Sequence, residues 1–324
     1  MRLALLASGS TGDVRPIVAL GAALRRRGHE VRVVTDPGSR RMVEAAGLEH
    51  ASMQGDLRAR LSAEGGLEGV TTNPLRLLRL MRRIGQEMAP AWARDSLAGC
   101  EGVEALVAAN GAAFIAQAVA ERLDLPLVQG WLQPVAPTGA FSTPLMPPLP
   151  LRGAPARWTH QLMRRLLWAG LASSIGAVRR QLGLEPLGGG AAWAALDRSP
   201  AFCAVSPALV PRPEDWPTAV EMTGFLFLDE PQWQPDPALE AFLAGGEPPL
   251  YVGFGSMTGR DPASLTRLLI AALRQLRRRT LVALGWGGLD RTMLETAQRA
   301  GLPIHLIEEA PHDRLLPRMA AALH

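Results

Sequence analysis

Residues 3–35 read LALLASGSTGDVRPIVALGAALRRRGHEVRVVT. An apolar run is followed by a glycine-containing turn over residues 8–13, an amphipathic helix pattern over residues 17–27 and a second apolar run. Short apolar runs joined through a helix are typical of parallel strands buried on both faces, so the stretch predicts a βαβ unit. Such a unit presents its first turn and a helix N-terminus to a ligand. The turn carries Asp13 where a dinucleotide-binding turn would carry glycine.

The same alternation of strand and helix patterns continues beyond this unit and starts again near residue 250. It predicts an α/β protein with two Rossmann-like, doubly wound parallel sheets. We expect a first domain over residues 1–229, a linker rich in Pro and Gly over 230–248, and a second domain over 249–324. The second domain supplies only about three strands where a doubly wound domain usually has five or six, so we expect it to be incomplete.

Composition excludes several functional classes. The chain has 324 residues, and its 34 basic residues are all arginine. Without lysine there is no Walker A loop, and a net charge of +4 with no reading motif does not indicate nucleic-acid binding. Cys100 and Cys203 lack metal-ligand spacing, so we expect reduced thiols and no metal. With no signal-peptide pattern and no apolar run long enough to span a bilayer, we expect a cytoplasmic protein.

The first turn allows more than one interpretation. Asp13 can cap the following helix, or its carboxylate can point into a cleft at the edge of the sheet. The dinucleotide pattern G-x-G-x-x-G fails because the turn has only Gly9 and Gly12. Asp36, at the end of the second strand, keeps an NAD-type oxidoreductase as an alternative.

Apolar and aromatic residues point to a second candidate region. The segment 130–153 is rich in Pro and Gly and predicts a long surface loop, which is a binding segment or a plain connector. The helix patterns at Leu75–Arg83 and Arg157–Arg180 mix Arg with large apolar residues, which fits either a membrane-facing surface or an ordinary solvated face. Pockets for lipophilic ligands are mostly apolar and aromatic. We therefore expect these residues to bind an acceptor: Trp131, Phe141, Met146, Trp158 and Trp168.

Four collinear segments carry a family resemblance. The run GSTGDVRP…ALRRRGHEVRVVT, SPALVPRPEDW at Ser206–Trp216, PLYVGFGSM at Pro249–Met257 and EEAPHDRLLPRMAAALH at Glu308–His324 resemble GT-B glycosyltransferases. The similar branch covers sterol, lipid and antibiotic-aglycone glycosyltransferases. The resemblance implies two facing lobes, with the acceptor in the first and a nucleotide-sugar (UDP- or dTDP-) in the second. It implies an inverting transfer of a hexose to a hydroxyl of a lipophilic acceptor, without a metal or other cofactor.

The resemblance also assigns roles to residues. Asp13 corresponds to the general base that takes the proton of the acceptor hydroxyl. The donor is expected to contact a larger set, some through backbone amides: Ser10, Thr11, Gly255, Ser256, Trp286, Ala310, Pro311 and His312.

The sequence departs from the family pattern at its end. Relatives continue after a position like His324 with a His-Gly-Gly-rich turn that binds the diphosphate and an acidic pair that binds the sugar. We therefore expect a truncated family member with weak or no turnover as a free-standing chain. A non-catalytic acceptor-binding protein is the main alternative, and peripheral contact with the inner face of the membrane is a further expectation.

Overall fold

The computed structural model describes residues 1–54, 74–229, 233–255, 261–285, 288–308 and 310–324. The described residues form two compact units, divided between residues 229 and 230. Among them, no helix is both long and apolar enough to cross a membrane.

The first unit is built on a seven-stranded parallel sheet with the strand order β3-β2-β1-β4-β5-β6-β7. The strands form because their apolar side chains are buried from both faces, as in β1, where the last four residues are all buried. The strand bounds are β1 Arg2–Leu6, β2 Glu30–Thr35, β3 Glu49–Ser52, β4 Ala105–Ala109, β5 Leu127–Trp131, β6 Ala201–Cys203 and β7 Val220–Met222.

Helices cover both faces of this sheet. Their bounds are α1 Thr11–Arg26, α2 Arg40–Ala45, α3 Pro74–Cys100, α4 Ala113–Leu123, α5 Gly153–Gln181 and α6 Gly189–Arg198. Residues of α1 and α2 share one core cluster with one face of β1 and β2. Residues of α3, α4, α5 and α6 share another cluster with the opposite face. The arrangement is the doubly wound α/β layer predicted from the sequence.

The second unit is built on a four-stranded parallel sheet with the order β10-β9-β8-β11. Its strands are β8 Leu250–Gly253, β9 Thr280–Ala283, β10 Ile304–Ile307 and β11 Ala321–Leu323. Its helices are α7 Pro237–Ala244, α8 Pro262–Leu276, α9 Arg291–Arg299 and α10 His312–Leu315.

The segment predicted as a linker contributes to this second unit. Helix α7 lies within residues 230–248 and begins at the N-cap Asp236, whose side chain accepts hydrogen bonds from two backbone amides of its first turn. Leu239 and Leu243 of α7 are buried in one cluster with Tyr251 of β8 and Leu281 of β9. The helix is therefore part of the second unit's core.

Candidate active site

In the first sheet, β2 and β4 lie on opposite sides of β1. The direction in which the chain adds strands therefore reverses between β1 and β4. Open parallel sheets bind ligands outside the carboxyl ends of the strands at such a switch point. The loop after β1 lies here and packs on the turn after β4. A Cβ on Gly111 of that turn would lie 2.4 Å from the carbonyl oxygen of Ser8. The two loops therefore form one packed edge at the switch point.

Asp13 is fixed at this edge by the residue that caps helix α1. The backbone amide of Ser10 donates to Oδ2 of Asp13 at 2.7 Å, and the Ser10 hydroxyl donates to the same oxygen at 2.9 Å. The side chain is partly exposed, and Oδ1 has no hydrogen bond from the described residues. Asp13 thus uses one oxygen to cap the helix and keeps the other to accept a proton.

Gly9 makes room for that carboxylate. Its φ is +137°, a backbone conformation that side chains rarely adopt, and a Cβ there would lie 2.3 Å from Oδ2 of Asp13. A side chain at this position would strain the backbone and displace the Asp13 carboxylate. Ser10 and Thr11, the two donor-binding candidates of the first unit, occupy the N-cap and the first position of α1, and Thr11 is exposed.

The structure separates the five residues expected to bind the acceptor. Trp131 ends β5, which is two strands and so about 10 Å from β1. Its ring centroid lies 5.9 Å from that of Trp216. Both rings belong to a cluster against which Phe141 packs. Trp168 instead packs edge-on against Phe114 of α4, in the core between the helices. Trp158 is 62% exposed on α5, and Met146 is partly exposed in the loop.

The loop over residues 132–152 is held by an ionic clasp that the sequence did not indicate. The Asp215 carboxylate accepts hydrogen bonds from the Thr138 hydroxyl at 2.6 Å, from the Gly139 amide at 2.8 Å and from the Arg157 guanidinium at 2.6 Å. These three donors hold the pKa of Asp215 well below its usual range. The clasp joins the loop, the start of α5 and the segment after β6.

A buried histidine holds the other side of the loop. Nε2 of His160 lies 3.1 Å from the carbonyl oxygen of Phe141, and burial lowers the pKa of the imidazole. The Thr143 amide also donates to the hydroxyl of Thr159 at 3.0 Å. With these contacts the loop is a fixed wall beside β5 and α5.

The second sheet has its own switch point, between β8 and β11. Gly255 follows β8 with a φ of +58°. Gly285 follows β9, and a Cβ there would lie 2.1 Å from the carbonyl oxygen of Gly255, so the two loops are in close contact. Nδ1 of His324, which follows β11, lies 2.9 Å from the carbonyl oxygen of Gly253. Glycine backbone and one imidazole therefore line this edge.

A tyrosine and a histidine extend the same edge. The Tyr251 hydroxyl lies 2.9 Å from Nε2 of His312, and burial raises the pKa of that tyrosine. Of the predicted donor loop, Pro311 is buried, Ala310 is partly buried and His312 is exposed. Sequence reasoning did not select Tyr251, although it is the only tyrosine in the chain.

Two predicted donor-binding residues, Ser256 and Trp286, lie outside the described residues. Within the described part of the chain, no group of three or more His, Cys, Asp or Glu side chains is placed to hold a metal ion.

Solved structures with the same fold define the class. The chain aligns over its whole length with the Streptomyces glycosyltransferase SsfS6, covering 76% of it with a TM-score of 0.58 at 18% identity. The glycosyltransferase SnogD from Streptomyces nogalater gives the same coverage and a TM-score of 0.58 at 21% identity. The fold is that of the GT-B glycosyltransferases. SsfS6 has also been solved with thymidine diphosphate.

Sequence comparison then identifies the family. Residues 3–141 match the glycosyltransferase family 28 N-terminal domain. The whole chain is 32% identical to the O-mycaminosyltylonolide 6-deoxyallosyltransferase of Streptomyces fradiae and covers 75% of it. It is 30% identical to the sterol 3-beta-glucosyltransferase UGT80B1 of Arabidopsis thaliana and covers 53% of that protein, about half its length. The chain belongs to this family of sterol and antibiotic glycosyltransferases.

Proposed function

We propose that the chain is an inverting glycosyltransferase that moves a hexose from a nucleotide-sugar to a hydroxyl of a lipophilic acceptor. The observation that carries the proposal is the position of the Asp13 carboxylate at the switch point of the first sheet. Its Oδ2 accepts hydrogen bonds from Ser10, and its Oδ1 is left to accept a proton. Family membership supports transfer as the reaction. The names of the relatives support the acceptor class, since a sterol is a lipophilic alcohol.

In the proposed reaction, Asp13 takes the acceptor proton. The acceptor oxygen forms a bond to the anomeric carbon while the bond from that carbon to the diphosphate oxygen breaks, and the nucleoside diphosphate leaves. Attack from the face opposite the leaving group inverts the anomeric centre. A carboxylate with a reference pKa of about 3.9 is a weak base, so proton transfer comes late, after an oxocarbenium-like centre has formed.

The second unit supplies the proposed donor site. Backbone amides around Gly255 and Gly285 and the exposed ring of His312 are suited to phosphate oxygens and a nucleobase. A complex of SsfS6 with thymidine diphosphate supports a nucleoside diphosphate as the ligand of this fold. Ser256 and Trp286 stay predictions for the same site.

Replacing the proposed base tests the reaction. We expect Asp13→Asn to lower kcat by roughly 10²–10⁴-fold, with the KM for the donor nearly unchanged, because only proton removal is lost. The assay follows transfer from UDP-glucose or dTDP-glucose to a sterol by mass spectrometry. Asp36→Asn is the matched control, since Asp36 follows β2 at the same sheet edge and its carboxylate accepts hydrogen bonds from the neighbouring Thr35 and Ser39 hydroxyls. Equal and measurable transfer rates in wild type and Asp13→Asn would overturn the assignment.

Calorimetry distinguishes a glycosyltransferase from the two alternatives, an NAD-type oxidoreductase and a non-catalytic acceptor-binding protein. Wild-type chain is titrated with UDP, dTDP and NAD, and then with a sterol. Binding of a nucleoside diphosphate supports the transferase. Binding of NAD would overturn it in favour of an oxidoreductase, and sterol binding without any nucleotide would leave a non-catalytic acceptor-binding protein.

A further inference from the structure

The chain has no Asp or Glu between Asp124 and Glu185. This stretch contains the loop over 132–152 and all of α5, and apart from His160 its ionisable residues are arginines. They are Arg152, Arg157, Arg164, Arg165, Arg179 and Arg180. Any surface built mainly from the stretch therefore carries positive charge.

Part of that charge is left unneutralised. Carboxylates from other segments pair with three of the arginines: Arg157 with Asp215, Arg164 with Asp197, and Arg179 with Glu121. Arg165 and Arg180 are exposed and have no carboxylate partner among the described residues. Arg82 of α3 adds a further cation beside α5, because its guanidinium donates to the carbonyl oxygen of Ala169 at 2.9 Å.

Large apolar side chains stand on the same side of α5. Trp158 is 62% exposed and Leu166 is 47% exposed. Trp158 and Arg165 are seven residues apart, so they lie on one helix face about 10 Å from each other, with Leu166 next to Arg165. A tryptophan and an arginine thus share the solvent face of the helix.

The loop that is hydrogen-bonded to the first turns of α5 also carries two exposed leucines. Leu145 and Leu149 are each 43% exposed. The loop is fixed beside the first turns of α5, where Trp158 stands, through the hydrogen bond from the Thr143 amide to Thr159. The Ser142 hydroxyl donates to the carbonyl oxygen of Leu149 at 2.9 Å and so keeps that leucine close to the same anchor. We call the exposed residues Leu145, Leu149, Trp158, Arg165 and Leu166 the α5 surface.

We propose that the α5 surface docks on a lipid bilayer that contains anionic lipids. Tryptophan and leucine insert at the boundary between headgroups and acyl chains, while arginine stays at the headgroups and contacts their phosphates. Because Arg165 has no carboxylate partner among the described residues, its charge favours an anionic leaflet over a neutral one. The docking would bring a membrane-borne acceptor to the first unit, and in that respect the inference rests on the proposed function.

Vesicle sedimentation tests the docking without any transfer reaction, so its failure is distinct from failure of the proposed function. The full chain is mixed with vesicles of phosphatidylcholine alone or with 30% phosphatidylglycerol (a chosen composition, roughly that of a strongly anionic leaflet). We expect binding to the anionic vesicles only, weakened by added salt. Trp158→Ser and Arg165→Glu should each lower the partition coefficient about tenfold or more.

Two matched variants control for loss of any exposed apolar or basic group. Leu209→Ser removes a leucine that is 70% exposed in the segment between β6 and β7. Arg41→Glu reverses a charge on α2, which packs on the opposite face of the sheet from α5. Both should bind vesicles like wild type. The proposal is overturned if wild type does not bind anionic vesicles, or if the control variants lose as much vesicle binding as Trp158→Ser and Arg165→Glu. It is also overturned if the chain self-associates and Trp158→Ser abolishes that association, because the surface would then bind a second copy of the chain.

Discussion

At the residue scale, the position of one carboxylate depends on a glycine four residues before it. Gly9 has a φ of +137°, and a Cβ there would overlap Oδ2 of Asp13 at 2.3 Å. An alanine at this position must strain the backbone and also push the carboxylate away from Ser10. The sequence predicted the turn and the candidate base, but it could not show this dependence, because the φ of Gly9 and the rotamer of Asp13 are set by the folded loop.

We therefore predict that Gly9→Ala lowers both stability and activity. The positive φ alone costs about 1–3 kcal/mol, and displacement of Asp13 should reduce kcat at least about tenfold. Chemical denaturation and the transfer assay measure the two effects. Gly28→Ala is the matched control, since Gly28 also has a positive φ, +87°, but a Cβ there meets nothing within 4 Å. The idea fails if Gly9→Ala and Gly28→Ala have the same kcat.

The edge of the second sheet, where we propose that the donor binds, allows a second prediction at this scale. In Tyr251→Phe the hydroxyl that lies 2.9 Å from Nε2 of His312 is lost, while the buried ring is kept. We expect nucleoside diphosphate affinity to fall several-fold, by about the 0.5–1.5 kcal/mol of one hydrogen bond, because the imidazole is no longer oriented. Calorimetry with UDP or dTDP measures it, and Leu281→Val, in the same core cluster but without a polar atom, serves as control. Unchanged affinity would remove Tyr251 from the site.

At the scale of elements, most strands and helices could be predicted and three features could not. The apolar runs of β1, β2 and β4 identify those strands because buried parallel strands need apolar side chains on both faces. Strand β3 was missed because its sequence, EHAS, is polar and short. The pattern does not predict helix α6, because its N-cap and first two residues are all glycine, nor the continuation of helix α3 through Pro90 to Cys100. Ala89 and Ala93 are buried on either side of Pro90, so packing stabilises α3 across the proline.

The clasp on the loop is the element-scale feature that sequence patterns miss most completely. Asp215 is 77 residues from Thr138 and 58 from Arg157, so no local spacing relates them. We predict that Asp215→Asn lowers the free energy of unfolding by about 1–2 kcal/mol at pH 7 and raises the KM for the acceptor more than it lowers kcat. Denaturation and steady-state kinetics measure the two effects.

The stability effect should depend on pH. The folded-state pKa of Asp215 lies below its unfolded value of about 3.9, so at acid pH the unfolded chain binds a proton first. The stabilising contribution is therefore complete above about pH 5 and is lost as the pH falls from 4 towards the folded pKa. The stability gap between wild type and Asp215→Asn should shrink accordingly. Asp197→Asn, which breaks the pair between Arg164 and a half-exposed carboxylate, is the control. A stability gap for Asp215→Asn that stays constant down to pH 2 would contradict the assignment.

At the scale of the whole molecule, each unit has core clusters of its own. In the first unit, α1 and α2 bury one face of the sheet and α3 to α6 the other. In the second unit, one cluster contains residues of α8 and α9, and the other contains α7 with parts of β8 and β9. The segment expected to be a linker thus supplies core residues, because its short helix carries Leu239 and Leu243 inward.

Substitution in α7 tests whether the units unfold separately. Leu239 is 3% exposed, so Leu239→Ala should cost about 2–5 kcal/mol in the second unit through lost burial and a residual cavity. Trp233 contacts the same cluster, whereas Trp131 and Trp168 report on the first unit. We expect two transitions in thermal unfolding, of which only the one sensed by Trp233 moves to lower temperature in Leu239→Ala. Leu106→Ala, in the core of the first unit, should move only the other. A single transition that both substitutions shift equally would show that the two units unfold as one cooperative body.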